Sequence, residues 1–215
     1  MAETPAYIRD PEAIYALSFE RVRQAVDLGR FPKDVAEIVL RVVHSCGMPE
    51  IAEDIVYSDN AGAKAVEAIR AGAPIICDCA MVAAGITRRF LPADNEIIMT
   101  LNDDGVAAKA SALGTTRSAA AVEFWQPWLE GAVVAIGNAP TALFHLLERL
   151  KEGWPLPAVI LAFPVGFVGA AESKAELAAN PPLNSAYLCL KGTRGGSAMA
   201  SASVNAAALL AGRAK

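Results

Sequence analysis

Apolar residues recur along this chain with two different periods, and the change of period predicts its architecture. Near the start, Val35, Ile38, Val39 and Val42 fall at i, i+3, i+4 and i+7, the stripe of an amphipathic helix. Glu37, Arg41 and His44 lie off that stripe, and Cys46-Gly47-Met48-Pro49 stops the helix with a glycine and a proline. An earlier helix opens at Asp10-Pro11, a capping acceptor followed by the residue best suited to the first helical position, and should run to about Asp27. From residue 74 onward, short apolar runs take over at 74–77, 96–101, 132–136, 159–163 and 187–190, each a strand. Between them lie helical stretches at 118–129, 141–151 and 170–179, the second carrying Leu143, Leu146, Leu147 and Leu150 at helical spacing. The alanine-rich tail from Ser197 predicts a last helix, frayed over 212–215. Strands apolar on both faces and alternating with helices predict an α/β fold, a mostly parallel sheet with helices on both faces. The N-terminal helices should form part of the site.

Composition narrows this picture. A chain of 215 residues that is 54% hydrophobic and 20% charged can bury a full core in one domain, residues 1–215. No apolar run approaches the roughly 20 residues that span a bilayer, and the start lacks the basic and apolar blocks of a signal peptide, so a soluble cytoplasmic protein is expected. The net charge of -4 argues against nucleic acid, whose phosphates need a clustered cationic surface. Cys46, Cys77, Cys79 and Cys189 form no C-x-x-C pair and are not spaced with His44 and His145 as a zinc site would be, so no structural metal is expected. Cys46 and Cys189 suit buried small apolar positions.

Candidate chemistry follows from the strand ends, because parallel α/β sheets bind ligands beyond the carboxyl ends of their strands. The first strand is followed by Asp78, the third by Gly137-Asn138-Ala139-Pro140-Thr141, the fourth by Pro164-Val165-Gly166-Phe167-Val168-Gly169 and the last by Gly192-Thr193-Arg194-Gly195-Gly196-Ser197. Three glycine-bearing loops on one edge let backbone amides approach a carboxylate or phosphate, which makes Asn138, Thr141 and Gly166 candidate ligand contacts. None of the loops matches the dinucleotide or P-loop phosphate motifs, which speaks against a nucleotide-dependent enzyme. Arg117, just ahead of a helix in Thr115-Thr116-Arg117-Ser118, suits carboxylate recognition by its planar fork, and Thr87-Arg88-Arg89 offers a second cationic point. Lys174, in the first turn of its helix, opposes the helix dipole and is a candidate for an anion's partner. His44 exchanges protons near neutral pH, and its place at a helix C-terminus favours the imidazolium, which suits a general acid. His145 falls on the polar side of the leucine stripe and is expected at the surface. No nucleophile elbow G-x-S-x-G or Ser-His-Asp order supports acyl transfer.

Several strings together resemble the precorrin-8X methylmutase family, the precorrin isomerases. They are Tyr7-Ile8-Arg9-Asp10, Ala13-Ile14-Tyr15 with Ser18-Phe19, Val43-His44-Ser45-Cys46-Gly47, Gly137 through Phe144, Pro164 through Lys174, and Gly195-Gly196-Ser197-Ala198. The likeness spans residues 7 to 205, and its Pro164 to Lys174 string is the most specific part. The resemblance implies a homodimeric isomerase of aerobic cobalamin (vitamin B12) biosynthesis. It would move the ring-C methyl of a porphyrin-related tetrapyrrole, precorrin-8X, from C11 to C12 to give hydrogenobyrinate without a cofactor. It also implies that His44 protonates the macrocycle, that Tyr15, Ser18, Thr87, Arg88 and Arg117 contact substrate, and that product passes to neighbouring enzymes of the pathway. Two alternatives stand beside it: the cobalt-precorrin-8 methylmutase of the anaerobic route, and a tetrapyrrole carrier without turnover.

Overall fold

A computed structural model describes residues 7–213. Its first helix, α1 (Pro11–Ala25), is capped by Asp10, whose carboxylate accepts the amides of Glu12 and Ala13 at 2.9 and 3.5 Å. The helix ends two residues before the expected Asp27, because that aspartate instead caps a short 3-10 turn at Leu28–Arg30 by accepting the Gly29 amide. Helix α2 (Lys33–Cys46) then buries Val35, Ile38, Val39 and Val42, and Gly47 closes it in the left-handed region with φ of 69°.

Six strands form one sheet in the order β1-β6-β5-β4-β2-β3. They are β1 (Ile55–Tyr57), β2 (Ile75–Cys77), β3 (Ile97–Ile98), β4 (Val133–Ile136), β5 (Val159–Ala162) and β6 (Ala186–Leu190). All neighbours pair in parallel except β1, which joins the outer side of β6 in the antiparallel sense. The five expected strands are present, although β3 keeps only two residues of the 96–101 run. The chain turns its direction of sheet growth between β2 and β4, with β3 laid on one side and β4, β5 and β6 on the other. In sheets of this order the crevice at the reversal is where ligands bind.

Alternation along each strand sends its side chains to two separate cores. Ile75, Cys77, Val133, Ala135, Val159 and Leu161 meet α2, α3 (Ala61–Arg70), α4 (Ala80–Gly85) and α9 (Ser197–Arg213). Ile76, Val134, Ile136, Ile160 and Ala162 meet α6 (Arg117–Val122), α7 (Pro140–Lys151) and α8 (Ala170–Ala179). Helices therefore cover both faces, and a further helix, α5 (Val106–Leu113), lies beside α6. The expected helix at 118–129 stops at Val122, because Pro127 cannot continue an α-helix, and Gln126–Trp128 forms a 3-10 turn. Ala214 and Lys215, part of the frayed end expected after α9, lie outside the described residues.

Helix α9 is the innermost helix. Its face of Ala200, Ala206, Ala207, Ala208 and Val204 is buried, and small side chains let it lie close to α2 and α4. At Gly85 of α4 a Cβ would come within 2.4 Å of the Ser201 hydroxyl. The start of α9 and the end of α2 thus share one cleft.

Candidate active site

His44 is the last-turn residue of α2, and three contacts from α1 hold its ring. The Ser18 hydroxyl lies 2.9 Å from Nδ1, the Phe19 ring stacks on the imidazole with centroids 4.6 Å apart, and Tyr15 meets it edge-on at 6.3 Å. Tyr15 and Ser18 fall one turn apart on α1, so a single helical face delivers both to α2. Arg41, one turn before His44, donates to the Tyr15 hydroxyl at 2.5 Å and lies 5.1 Å over the Phe19 ring. Because Nδ1 is engaged by Ser18, Nε2 is the nitrogen left for a substrate.

The electrostatics of His44 differ from the expectation drawn from its helix end. Burial, and then the Arg41 charge, hold its pKa below 6.5, the direction opposite to that expected of a helix C-terminus. The shift favours the neutral imidazole, and an anion in the cleft would act the other way.

A cleft of about 540 Å³ opens beside it, bounded by Tyr15, Arg41 and His44, by Thr87, and by Ser197 and Asn205 of α9. Asn205 positions Thr87 by accepting its amide at 2.8 Å, while donating to the Gly85 carbonyl at 2.9 Å. Ser197 and Ala198, whose amides at the start of α9 have no intrahelical acceptor, line this cleft. A larger cavity of about 1120 Å³ lies between the end of α1, the start of α2 and α3, and contains none of the expected site residues.

The remaining expected residues lie along the same strand-end edge but outside the cleft. Arg88 is exposed in the turn after Thr87. Exposed Arg117 donates to the Leu101 carbonyl and to Asn102, and Thr141 is 2.8 Å from the Thr116 hydroxyl that caps α6. Lys174 is 1% exposed, and its ammonium donates to the Arg194 carbonyl at 2.5 Å, so it supports the loop after β6 from below. Burial brings its pKa down to about 8.

The glycine loops are satisfied largely by one another. Asp78, 2% exposed, accepts the amides of Gly137, Asn138 and Ala139 at 2.9, 2.9 and 2.8 Å. The Gly166 amide donates to Thr193 and the Gly196 amide to Phe163. A Cβ at Gly195 would stand 2.3 Å from the Phe163 carbonyl oxygen, so glycine there serves the packing of two loops. The expectation that these amides are open to an anion is therefore corrected at Gly137–Ala139, Gly166 and Gly196. His145 is corrected too: it is half-buried, with Nε2 2.5 Å from a Glu123 carboxylate oxygen.

Sequence reasoning left Phe19 and Asn205 without a role and Arg41 unassigned. The Tyr15-Ser18-Phe19 spacing was a visible signal; the reach of Asn205 to Thr87 crosses 118 positions and was not. Among the described residues no group of three or more His, Cys, Asp or Glu side chains is placed to hold a metal, and no helix is long and apolar enough to cross a membrane.

Comparison with known proteins now bears on this geometry. The family model for precorrin-8X methylmutase matches residues 13–210. A precorrin-8X methylmutase of Pseudomonas aeruginosa is 54% identical over 202 residues, covering 94% of this chain and 97% of that one. A cobalt-precorrin-8 methylmutase of Priestia megaterium is 34% identical over 202 residues, covering 94% and 88%. The solved structure of a precorrin-8X methylmutase from Thermus thermophilus superimposes with a TM-score of 0.84 at 34% identity, covering 94% of this chain and 97% of its own.

Proposed function

This chain belongs to the precorrin-8X methylmutase family, and on that premise we propose that the cleft beside His44 holds precorrin-8X while its ring-C methyl migrates from C11 to C12. The enzyme is an isomerase of cobalamin biosynthesis. The metal-free substrate is favoured over the cobalt-containing one because the chain is 54% identical to a precorrin-8X methylmutase and 34% identical to a cobalt-precorrin-8 methylmutase.

The observation that carries the mechanism is the held imidazole at the mouth of the cleft, with Ser18 on Nδ1 and Phe19 against one face. Nε2 lends a proton to the macrocycle, which draws electron density from the ring and opens a [1,5]-sigmatropic path. The C11–methyl bond breaks as the C12–methyl bond forms, with no change of oxidation state, and the proton returns to His44 as the conjugated product relaxes. Substrate carboxylates near the Arg41 side of the cleft raise the His44 pKa and so load the acid only when substrate is present. Tyr15 and Thr87 form the near wall with Ser197 and Ala198, while Ser18 holds the His44 ring from α1. The side chains of Arg88, Arg117, Asn138 and Thr141 extend along the edge toward the macrocycle's outer carboxylates, and Gly166, its amide given to Thr193, only shapes that edge. Lys174 acts through the loop it holds.

The enzyme acts as a cytoplasmic homodimer and hands its product to the next pathway enzyme. The dimer draws support from Phe167 and Val168, 96% and 88% exposed on the same edge as Gly166, because apolar side chains so placed favour a covering partner.

Turnover of precorrin-8X followed by absorption tests the assignment. Wild type converts it to hydrogenobyrinate, and His44→Ala slows conversion by about 100-fold or more. Equal rates for the two would overturn the role of His44, and a coloured but inert wild type would identify a carrier instead.

A further inference from the structure

Asp78 stands at the carboxyl end of β2, in the crevice where the sheet reverses its order and where sheets of this kind meet anionic ligands. Its carboxylate fills a cradle of three consecutive amides, with Oδ1 on Gly137 and Oδ2 on Asn138 and Ala139. No cation pairs with it among the described residues, so hydrogen bonds, chiefly those of the three amides, offset its charge. Burial pushes the carboxyl upward from its ordinary range, and the three amides, with the Cys79 thiol, oppose that shift.

The cradle is also a junction. A Cβ at Gly137 would lie 2.7 Å from Ser197 Cα, 2.7 Å from Val82 and 2.9 Å from Ala200 Cβ, so this loop directly abuts the first turn of α9. Cys79, next to Asp78, places its sulfur 3.5 Å from the Ser197 hydroxyl. Beyond Ala139 the chain enters α7, whose Thr141 touches the Thr116 cap of α6. The Asn138 carbonyl accepts the Val165 amide from the loop after β5. One buried carboxylate therefore fixes a loop against which the start of α9 and two further loops of the strand-end edge are packed.

We propose that Asp78 is a positioning residue for the substrate cleft, an internal carboxylate that occupies the amide cradle at the sheet's reversal point and thereby sets where the first turn of α9 presents Ser197 and Ala198 to the macrocycle. This rests on the His44 cleft being the macrocycle site. It makes two separable statements: the cradle recognises a carboxylate as such, and its occupancy governs substrate binding more than the chemical step, since the carboxylate bonds the 137–139 loop and has no hydrogen bond to His44.

The experiment is kinetic rescue of Asp78→Gly with sodium formate, against sodium chloride at equal ionic strength. Asp78→Gly should raise KM for precorrin-8X about tenfold or more, with kcat changed less than about threefold, because displaced binding groups weaken the complex while the acid stays in place. Formate should lower KM saturably and chloride should not. Wild-type KM in the variant overturns the proposal, and so does formate that raises Tm while leaving KM untouched, the mark of a purely structural residue. If the glycine variant does not fold, Asp78→Asn serves: a raised KM indifferent to formate supports the proposal and a wild-type KM overturns it. A wild type inert toward precorrin-8X sinks the functional reading instead. The cradle is then judged by the amide resonances of Gly137, Asn138, Ala139 and Ser197, whose return toward wild-type positions under formate supports it and whose indifference overturns it.

Discussion

At the scale of single residues, burial against Phe19 and the guanidinium of Arg41 act together on the His44 imidazole and keep it neutral above a pKa lower than 6.5. An acid of that kind gives kcat/KM a profile that falls as pH rises through the free enzyme's pKa, so its midpoint should lie below 6.5. Arg41→Met removes the like charge and should move that midpoint upward; an unmoved midpoint in a pH series of kcat/KM would refute the coupling. Lys174 carries the opposite lesson about lone cations, because it is held by a backbone carbonyl where the sequence suggested a ligand anion. Its folded-state pKa of about 8 lies below the ordinary 10.5, so between those values the unfolded chain binds more protons and stability rises with pH on its account. Thermal unfolding of wild type and Lys174→Met should therefore diverge in wild type's favour as pH climbs through that window. Parallel curves would contradict it. The place of His44 at the end of α2 was legible in the sequence, but the sign of its pKa shift was not, since Arg41 and the α1 ring cluster meet it only in the fold.

At the scale of elements, the strands and long helices followed from periodicity, and the misses have identifiable causes. Helix α3 relies on Ala61, Ala65 and Ala68, side chains too small to mark a stripe clearly. Strand β1 has three residues, too few to show alternation, and exists because its backbone pairs with β6. The loops after β5 and β6 were visible as glycine clusters, yet their role as each other's hydrogen-bond partners required both strands to lie side by side. Gly195→Ala tests that contact. Its Cβ would meet the Phe163 and Pro164 carbonyl oxygens at 2.3 and 2.6 Å, rigid backbone atoms that cannot swing away. A loss of about 1–3 kcal/mol in chemical denaturation is expected, with weaker substrate binding because α9 begins two residues later. Wild-type stability in this variant would show that the two loops have room to separate.

At the scale of the whole molecule, six strands and two cores present one edge on which every expected contact residue but Lys174 lies at or near the surface. The His44 cleft occupies only part of that edge, and Phe167 and Val168 stand out from it, 96% and 88% exposed. If the proposed dimer forms through this patch, wild type should sediment as a dimer and Phe167→Asp as a monomer with reduced turnover; a monomeric wild type would sink the dimer, and a variant still dimeric would place the subunit contact elsewhere. The amino-acid sequence by itself determined the α/β class, the five parallel strands, both histidines' helices and, through its resemblance to precorrin-8X methylmutases, the chemistry, because these depend on local periodicity and on short strings of residues. Only the tertiary structure decided that Ser18 and Phe19 fix the His44 ring, that Asn205 braces Thr87, and that Asp78 fills the amide cradle where an outside anion was expected. Those contacts join positions distant in the chain, and their energies depend on burial and on neighbours that exist only once the sheet has closed over both cores.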